Sequence, residues 1–176
     1  MEESKKILLA TSNEGKLKEF KKLFTKFDLL YQTELGINDA IEDGLTFFEN
    51  ALKKARHGAK ESGLYTIADD SGLVVPGLNF EPGIYSARYA GEGASDNDNR
   101  NKIIEELKKR NLESLPAYYV CILVGIHSEN DPMPIYASGK IHGKIRTISE
   151  GDGGFGYDKI FYPSESQTSM ASITPE

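Results

Sequence analysis

The sequence has little of what builds disulfide-bonded, zinc-binding or membrane proteins. Its 176 residues include one cysteine, Cys121, and no tryptophan. A single cysteine excludes an intrachain disulfide framework and any metal cage made of cysteines. No apolar run approaches the ~18 residues of a membrane span. The N-terminal stretch Met1–Lys6 precedes only a short apolar run, so we expect no secretion signal and a cytoplasmic protein.

The sequence also has fewer basic than acidic residues. Lys and Arg total 21 against 27 Asp and Glu, which gives a formal net charge of −6. This balance argues against a protein that coats nucleic acid or binds an anionic membrane through its overall charge, so a phosphate ligand would need a local site. The hydrophobic fraction of 39%, with nine tyrosines and eight phenylalanines, predicts a packed core, and the length suits one domain.

Hydrophobic patterning predicts an α/β chain with a mixed twisted sheet and flanking helices. Thr46 followed by Glu49 matches a capping box at a helix start, and Gly63 would end that helix. Ser12 or Asn13 would cap an earlier helix. The pattern predicts strands over residues 7–10, 28–32, 65–68, 73–75, 117–126, 135–148 and 159–162, and helices from the Ser12 or Asn13 cap through Phe27, over 45–62 and over 96–111.

The first candidate site is the segment between the first strand and the first helix, Thr11-Ser12-Asn13-Glu14-Gly15-Lys16. Exposed backbone N–H groups at a helix start attract an anion, and a lysine one turn in adds a full charge. The segment is not a Walker A loop, because Ala10 and Leu17 stand where that motif needs glycine and Ser or Thr. The alternative is an ordinary capped helix with a surface lysine.

The second candidate site is a set of acids, namely Glu42, Asp43, Glu49, Asp69 and Asp70. Asp69 and Asp70 follow the predicted strand 65–68, and strand ends are a usual place for functional groups in open α/β sheets. Together with Glu42 they could hold Mg²⁺, which prefers oxygen ligands, or one carboxylate could take a proton from an attacking water. The alternative is that the aspartates cap a turn and Glu42 is solvated. Asp70-Ser71-Gly72 also occurs in aspartic proteases, but they need two facing copies and the chain has one.

The third candidate site is the glycine-rich segment Gly153-Gly154-Phe155-Gly156-Tyr157-Asp158. Glycines let a backbone approach a ligand closely, and Phe155 or Tyr157 could stack on a base. The alternative is a tight turn with core aromatics. Three basic side chains, Lys16, Lys54 and Arg88, suit a triphosphate if the fold brings them together, and otherwise they face solvent.

Taken together, five segments resemble the inosine triphosphate pyrophosphatase family, the non-canonical purine nucleoside triphosphate pyrophosphatases. They occur in the family's order between residues 10 and 158, and the fourth is long and distinctive. They are Ala10-Thr11-Ser12-Asn13-Glu14-Gly15-Lys16, Gly44-Leu45-Thr46-Phe47-Phe48-Glu49-Asn50-Ala51, Ile67-Ala68-Asp69-Asp70-Ser71-Gly72-Leu73, Pro82-Gly83-Ile84-Tyr85-Ser86-Ala87-Arg88-Tyr89-Ala90-Gly91 and Gly153-Gly154-Phe155-Gly156-Tyr157-Asp158.

The resemblance implies that inosine, deoxyinosine or xanthosine triphosphate is hydrolysed to the monophosphate and pyrophosphate with Mg²⁺. It also implies an inosine triphosphatase-like fold, with two lobes around a central cleft, and a homodimer. Glu42 and Asp70 would bind the metal, and Asp70 would also accept the proton. The expected substrate-binding residues, with Arg88 added for its charge, are Thr11, Ser12, Asn13, Glu14, Gly15, Lys16, Lys54, Ser71, Arg88, Phe155, Gly156, Tyr157 and Asp158.

The chain departs from the family pattern at its C-terminus. The family usually continues past residue 176 with a Lys and then a Ser-His-Arg motif that reads the purine, and this chain stops at Thr174-Pro175-Glu176. We therefore expect residues 1–176 to form one pyrophosphatase domain without that segment. Two alternatives stay open: a sister pyrophosphatase for other modified nucleotides, and a non-catalytic nucleotide-binding protein. No nucleic acid or membrane partner is expected.

Overall fold

The computed structural model describes residues 6–173. The predictions about the secretion signal and about the missing C-terminal segment involve Met1–Lys5 and Thr174–Glu176, which lie outside these residues. Within the described range the strands are β1 Lys6–Leu9, β2 Asp28–Tyr31, β3 Tyr65–Val74, β4 Ser114–Ile126, β5 Ile135–Arg146 and β6 Phe161–Pro163, and the α-helices are α1 Glu14–Leu23, α2 Phe47–Ser62 and α3 Asp96–Lys109.

The six strands form one mixed sheet in the order β2-β1-β3-β4-β5-β6. Strand β1 runs parallel to β2 and to β3, so that Leu8 pairs with Leu30 on one side and with Thr66 on the other. Strands β5 and β6 are antiparallel. Neighbouring parallel strands need a crossover connection, which α1 provides between β1 and β2. The predicted α/β chain with a mixed sheet and flanking helices is confirmed.

The chain divides into two compact units. The first comprises the described residues up to Asp70 together with Cys121–Ser138, and the second comprises Ser71–Val120 and the described residues from Gly139 onward. The core of the first is built on the alanines of α2, and the core of the second contains Ile103 and Leu107 of α3. Each unit therefore has a hydrophobic core of its own.

Small side chains bring α2 close to the sheet of the first unit. Ala51, Ala55 and Ala59 are buried on one face of the helix. A Cβ at Gly58 would come within 3.0 Å of the Leu8 and Thr66 side chains. A side chain at position 58 would therefore require the Leu8 or Thr66 side chain to shift by a few tenths of an ångström.

Local capping sets the starts of the helices, as the sequence predicts. Thr46 accepts a hydrogen bond from the backbone N–H of Glu49, and the Glu49 side chain accepts one from the N–H of Thr46, which completes the predicted capping box. Gly63 ends the helix with φ +68°, in the left-handed region that glycine adopts without cost. The first helix is capped by Asn13, one of the two residues proposed for that role.

The predicted break after Ala68 is wrong, because β3 runs without interruption from Tyr65 to Val74. The strand pairs with β1 only as far as Ile67. Asp69 and Asp70 thus lie within β3 but beyond the last paired residue of its neighbour. On its other side β3 is hydrogen-bonded to β4.

Several further boundaries differ from the predictions, among them the ends of the predicted helix 96–111 and strand 135–148, which lie at Lys109 and Arg146, and the predicted strand 159–162, which is found at Phe161–Pro163. The first helix ends at Leu23, so Phe24 and Phe27 lie outside it; their rings instead form a chain with Phe20, with centroids 5.9 and 6.2 Å apart. The stretch predicted as loop over 76–95 contains two short 3-10 helices, Pro76–Leu78 and Gly83–Arg88. Across residues 6–173, every helix is too short or too polar to cross a membrane.

Candidate active site

The Thr11–Lys16 segment turns from β1 into α1 through side-chain caps. The Asn13 side chain accepts a hydrogen bond from the Lys16 N–H at 3.1 Å, and the Thr11 hydroxyl accepts one from the Asn13 N–H at 3.2 Å. Ser12 donates to Asp39 at 3.0 Å. Glu14 and Gly15 form the first turn of α1. The helix start and its lysine are therefore held in a fixed position at the end of β1.

Lys16 points back to the sheet rather than to solvent. Its ammonium lies 2.6 Å from Asp69 Oδ2, and the two side chains are 14% and 2% exposed. The alternative of a surface lysine is therefore wrong for Lys16. The sequence interpretation gave Asp69 no individual role. Its partner Lys16 lies 53 positions away, so no local sequence pattern indicates this ion pair.

Lys54 of α2 joins two carboxylates from distant parts of the chain. Its ammonium lies 2.9 Å from Glu42 Oε1 and 3.5 Å from Asp70 Oδ1. Successive residues of a strand point to opposite faces, so Asp69 meets the lysine of α1 while Asp70 meets the lysine of α2. Lys54 brings Glu42 and Asp70 together in the first unit, and Lys16 is near enough to Asp70 to lower its pKa.

Gly44, two residues after Glu42, has no room for a side chain. The Gly44 N–H donates to Asn50 Oδ1 at 2.8 Å, and a Cβ at Gly44 would lie 2.6 Å from the same oxygen. Asn50 is fully buried on α2. Sequence reasoning gave Asn50 no role, although a polar residue on the alanine face of α2 is a detectable sign of a buried contact.

Burial and the Lys54 ion pairs shift the pKa values of Asp70 and Lys54 in opposite directions. Burial raises the pKa of Asp70, although Lys54 opposes the rise, while Glu42 adds to it. Burial alone would lower the pKa of Lys54, but Asp70, Glu42 and Asp69 outweigh that effect and raise it. Lys54 therefore stays charged, and Asp70 is more basic than an ordinary aspartate.

The carboxylates of Asp69 and Asp70 have oxygens that could bind a cation. Asp69 Oδ1 and Asp70 Oδ2 are buried and lack a close hydrogen-bond partner among the described residues, although the buried Asn50 amide is near enough to lower the pKa of Asp70. Within the same range, no group of three or more His, Cys, Asp or Glu could hold a metal ion. Mg²⁺ commonly takes only one or two protein carboxylates and completes its shell with substrate phosphates and waters. Glu42 and Asp70, which share one ammonium, fit that requirement.

The remaining predicted residues belong to the second unit. Ser71 lies half-buried on β3. Arg88 ends the 3-10 helix Gly83–Arg88, with its Nε 3.6 Å from Glu92 and its guanidinium 5.3 Å from the centre of the Tyr85 ring. Phe155–Asp158 form the glycine-rich turn before β6.

The two aromatic residues of the glycine-rich turn have different environments. The Phe155 side chain is 37% exposed, so its ring is accessible to a ligand. Tyr157 is 3% exposed and donates from its hydroxyl to the Ser86 carbonyl at 2.7 Å, which makes it a core residue. Asp158 accepts from Tyr119 and from the Phe155 N–H, and burial raises its pKa against these two hydrogen bonds.

A family model and relatives of similar sequence match nearly the whole chain. The model of the Ham1 family matches residues 7–176. A protein named dITP/XTP pyrophosphatase from Vibrio vulnificus (strain YJ016) is 48% identical over 173 residues, which are 97% of this chain and 86% of that protein. One of the same name from Vibrio cholerae serotype O1 is 49% identical over the same shares.

Solved structures show the same fold. A HAM1 protein from Coxiella burnetii superposes with a TM-score of 0.88 at 40% identity, over 97% of this chain and 88% of that one. The Ham1 protein of Staphylococcus aureus gives 0.83 at 38% identity, over 97% and 87%.

Proposed function

This chain belongs to the Ham1 family, and on that premise we propose that it hydrolyses inosine, deoxyinosine and xanthosine triphosphates to the monophosphate and pyrophosphate. Relatives that are 48% and 49% identical to it carry the name dITP/XTP pyrophosphatase. Such an activity removes altered purine nucleotides from the nucleotide pool. We further propose that residues 1–176 act as a single pyrophosphatase domain.

The observation that carries this proposal is the pair of buried lysines facing a pair of buried aspartates. Lys16 and Lys54 are less than 15% exposed, and both lie within ion-pair distance of a carboxylate on β3. A polyphosphate brings several negative oxygens that two ammonium groups can neutralise. The start of α1 adds backbone N–H groups that favour an anion.

Asp70 is the residue we propose as proton acceptor. Its pKa is raised by burial, which makes its carboxylate a stronger base. Water attacks the α-phosphorus, the bond from that phosphorus to the bridging oxygen of the β-phosphate breaks, and pyrophosphate leaves. The proton of the water passes to the Asp70 carboxylate, and Lys16 and Lys54 offset the charge that grows on the phosphate oxygens.

Mg²⁺ is the cofactor that we propose, with Glu42 and Asp70 as its protein ligands. The burial of the Asp70 carboxylate and its position next to Glu42 at a shared lysine support this assignment. When bound, Mg²⁺ would supply neutralising charge to the triphosphate. Lys54, which pairs with both carboxylates, would hold them in place for the ion.

The base is assigned to the second unit. The exposed ring of Phe155 supports a stacking role. We assign Ser71 and Arg88 to further substrate contacts, together with Tyr157 and Asp158 of the glycine-rich turn; Gly156, whose N–H and carbonyl are bound by α3, would touch the substrate only through van der Waals contact. The core position of Tyr157 supports a role through its backbone rather than its ring.

We also propose a cytoplasmic homodimer without nucleic acid or membrane partners. Exposed apolar side chains at Met133, Ile135 and Tyr136 support a protein contact. The net charge of −6 supports the absence of a nucleic acid partner. The cytoplasm holds the nucleotide pool on which such an enzyme would act. Light scattering of the purified protein measures its oligomeric state directly.

Pyrophosphate release from a nucleotide panel tests the function. The panel contains dITP, XTP, dGTP and a modified pyrimidine triphosphate, each with Mg²⁺ and with a chelator. We expect release from dITP and XTP that requires the metal. Asp70→Asn should lower turnover on the order of 10²–10⁴-fold. The control Asp43→Asn, which removes an exposed acid beside Glu42, should stay close to wild type.

Other outcomes identify the alternatives. A preference for the pyrimidine would indicate a sister pyrophosphatase. Tight nucleotide binding with no pyrophosphate released would indicate a non-catalytic binding protein. Normal turnover in Asp70→Asn would remove Asp70 from the role of proton acceptor.

A further inference from the structure

Two side chains of α3 hold both backbone polar groups of Gly156. Asp96 Oδ2 accepts a hydrogen bond from the Gly156 N–H at 2.7 Å, and Arg100 Nη1 donates to the Gly156 carbonyl at 2.6 Å. Residues four apart on a helix lie on the same face, so the two side chains reach the glycine as a pair. Ser95 and Asp98 form a capping box that fixes the first turn of the helix, from which Asp96 projects.

The glycine-rich turn needs such support because its backbone is permissive. Gly154 and Gly156 have φ values of +68° and +56°. Glycine loses more conformational freedom than other residues when it is fixed. The Gly156 N–H belongs to the peptide that follows Phe155, and its carbonyl belongs to the peptide that precedes Tyr157. Asp96 and Arg100 therefore fix two successive peptide planes.

The same contacts determine what Phe155 can offer to a ligand. Its N–H donates to Asp158 Oδ2 at 2.9 Å, and its carbonyl accepts from the Asp158 N–H at 3.2 Å. With Gly156 held by α3, all four backbone polar groups of Phe155 and Gly156 are used within the protein. The exposed ring of Phe155 is the part of this dipeptide that remains for a base.

We propose that Asp96 and Arg100 are positioning residues for base recognition: by clamping Gly156 they hold the Phe155 ring in the orientation that stacks on the purine. This inference rests on the proposed function. The two charges of the clamp also act in opposite directions on Asp158: beside the larger effect of burial, Asp96 raises the pKa of Asp158 and Arg100 lowers it. Loss of one partner therefore changes both the mobility of the turn and its electrostatics.

Kinetics of pyrophosphate release from dITP test the clamp. Asp96→Ala and Arg100→Met should each raise KM about tenfold, with kcat within about twofold of wild type, because a stacking contact made in both ground and transition states is lost. Asp96→Asn keeps an acceptor for the Gly156 N–H and should restore most of the affinity. Asn101→Ala, at an exposed position of the same helix, is the matched control and should leave KM unchanged.

Inorganic triphosphate, used as a competitive inhibitor, separates positioning from general damage. It has no base, so its inhibition constant should be the same in wild type and in both clamp variants. The proposed positioning role of Asp96 and Arg100 would be contradicted by a parallel rise in this inhibition constant. A KM for dITP in the clamp variants within twofold of that of the Asn101→Ala control would contradict it as well. If Asp96→Ala does not fold, Arg100→Met and Asp96→Asn carry the same comparison. A wild-type protein that releases no pyrophosphate would instead contradict the proposed function.

Discussion

Replacing Lys54 by methionine removes an ammonium that Glu42 and Asp70 share. The side chains of Lys54 and Asp70 are 12% and 8% exposed, and that of Glu42 is 28% exposed. Removing one partner of a buried ion pair costs about 3–5 kcal/mol, because the remaining charge stays buried without compensation. Glu42 has some access to water, so we expect about 3 kcal/mol, at the lower end of that range.

The neighbouring lysine provides a control of the same chemistry in a different environment. Lys53 pairs with Asp43, and these side chains are 44% and 69% exposed. Exposed pairs contribute about 0–1 kcal/mol, so Lys53→Met should be nearly neutral. The two variants differ by one position on α2, which keeps helix propensity and side-chain volume matched.

Urea unfolding in a buffer with a chelator measures the difference. With a slope of about 2 kcal/mol per molar urea, Lys54→Met should lower the midpoint by about 1.5 M, and Lys53→Met by less than about 0.5 M. The chelator prevents a metal ion from replacing the lost charge. If the two variants unfold within about 1 kcal/mol of each other, Lys54 is not the buried link between the carboxylates.

Three further predictions concern other positions. Phe155→Ala should lose about 1–3 kcal/mol of base stacking, seen as a higher KM for dITP, whereas Phe80→Ala, at another exposed phenylalanine of the second unit, should not. Burial raises the pKa of Asp158 in the folded state. Its contribution to the free energy of unfolding is therefore present below its unfolded pKa of about 3.9 and is lost as the pH rises through the folded pKa. Urea titrations at several pH values should show this decline in wild type and its absence in Asp158→Asn. Burial raises the pKa of the Cys121 thiol to about 11, so near neutral pH a thiol reagent should react with the folded protein roughly 10²-fold more slowly than with the urea-unfolded chain, and equal rates would contradict the buried environment.

The caps of α2 and the α/β class followed from the sequence, because they depend on patterns along the chain. Thr46 with Glu49 and Gly63 with its positive φ act within one turn of α2. The alternation of apolar segments predicted an α/β chain for the same reason. The motif resemblance indicated Lys16, Glu42, Lys54 and Asp70 individually, and their proximity was only a hypothesis.

Contacts between distant residues were decided by the tertiary structure alone. The sequence predicts that Asp70 follows the end of a strand, because the sequence does not show that β3 continues past its last residue paired with β1. The partners of Gly156 are 60 and 56 positions away on α3, and the glycine itself carries no side chain to suggest them. A short segment contains enough information to cap a helix, whereas the pairing of buried charges depends on which elements the whole chain packs side by side.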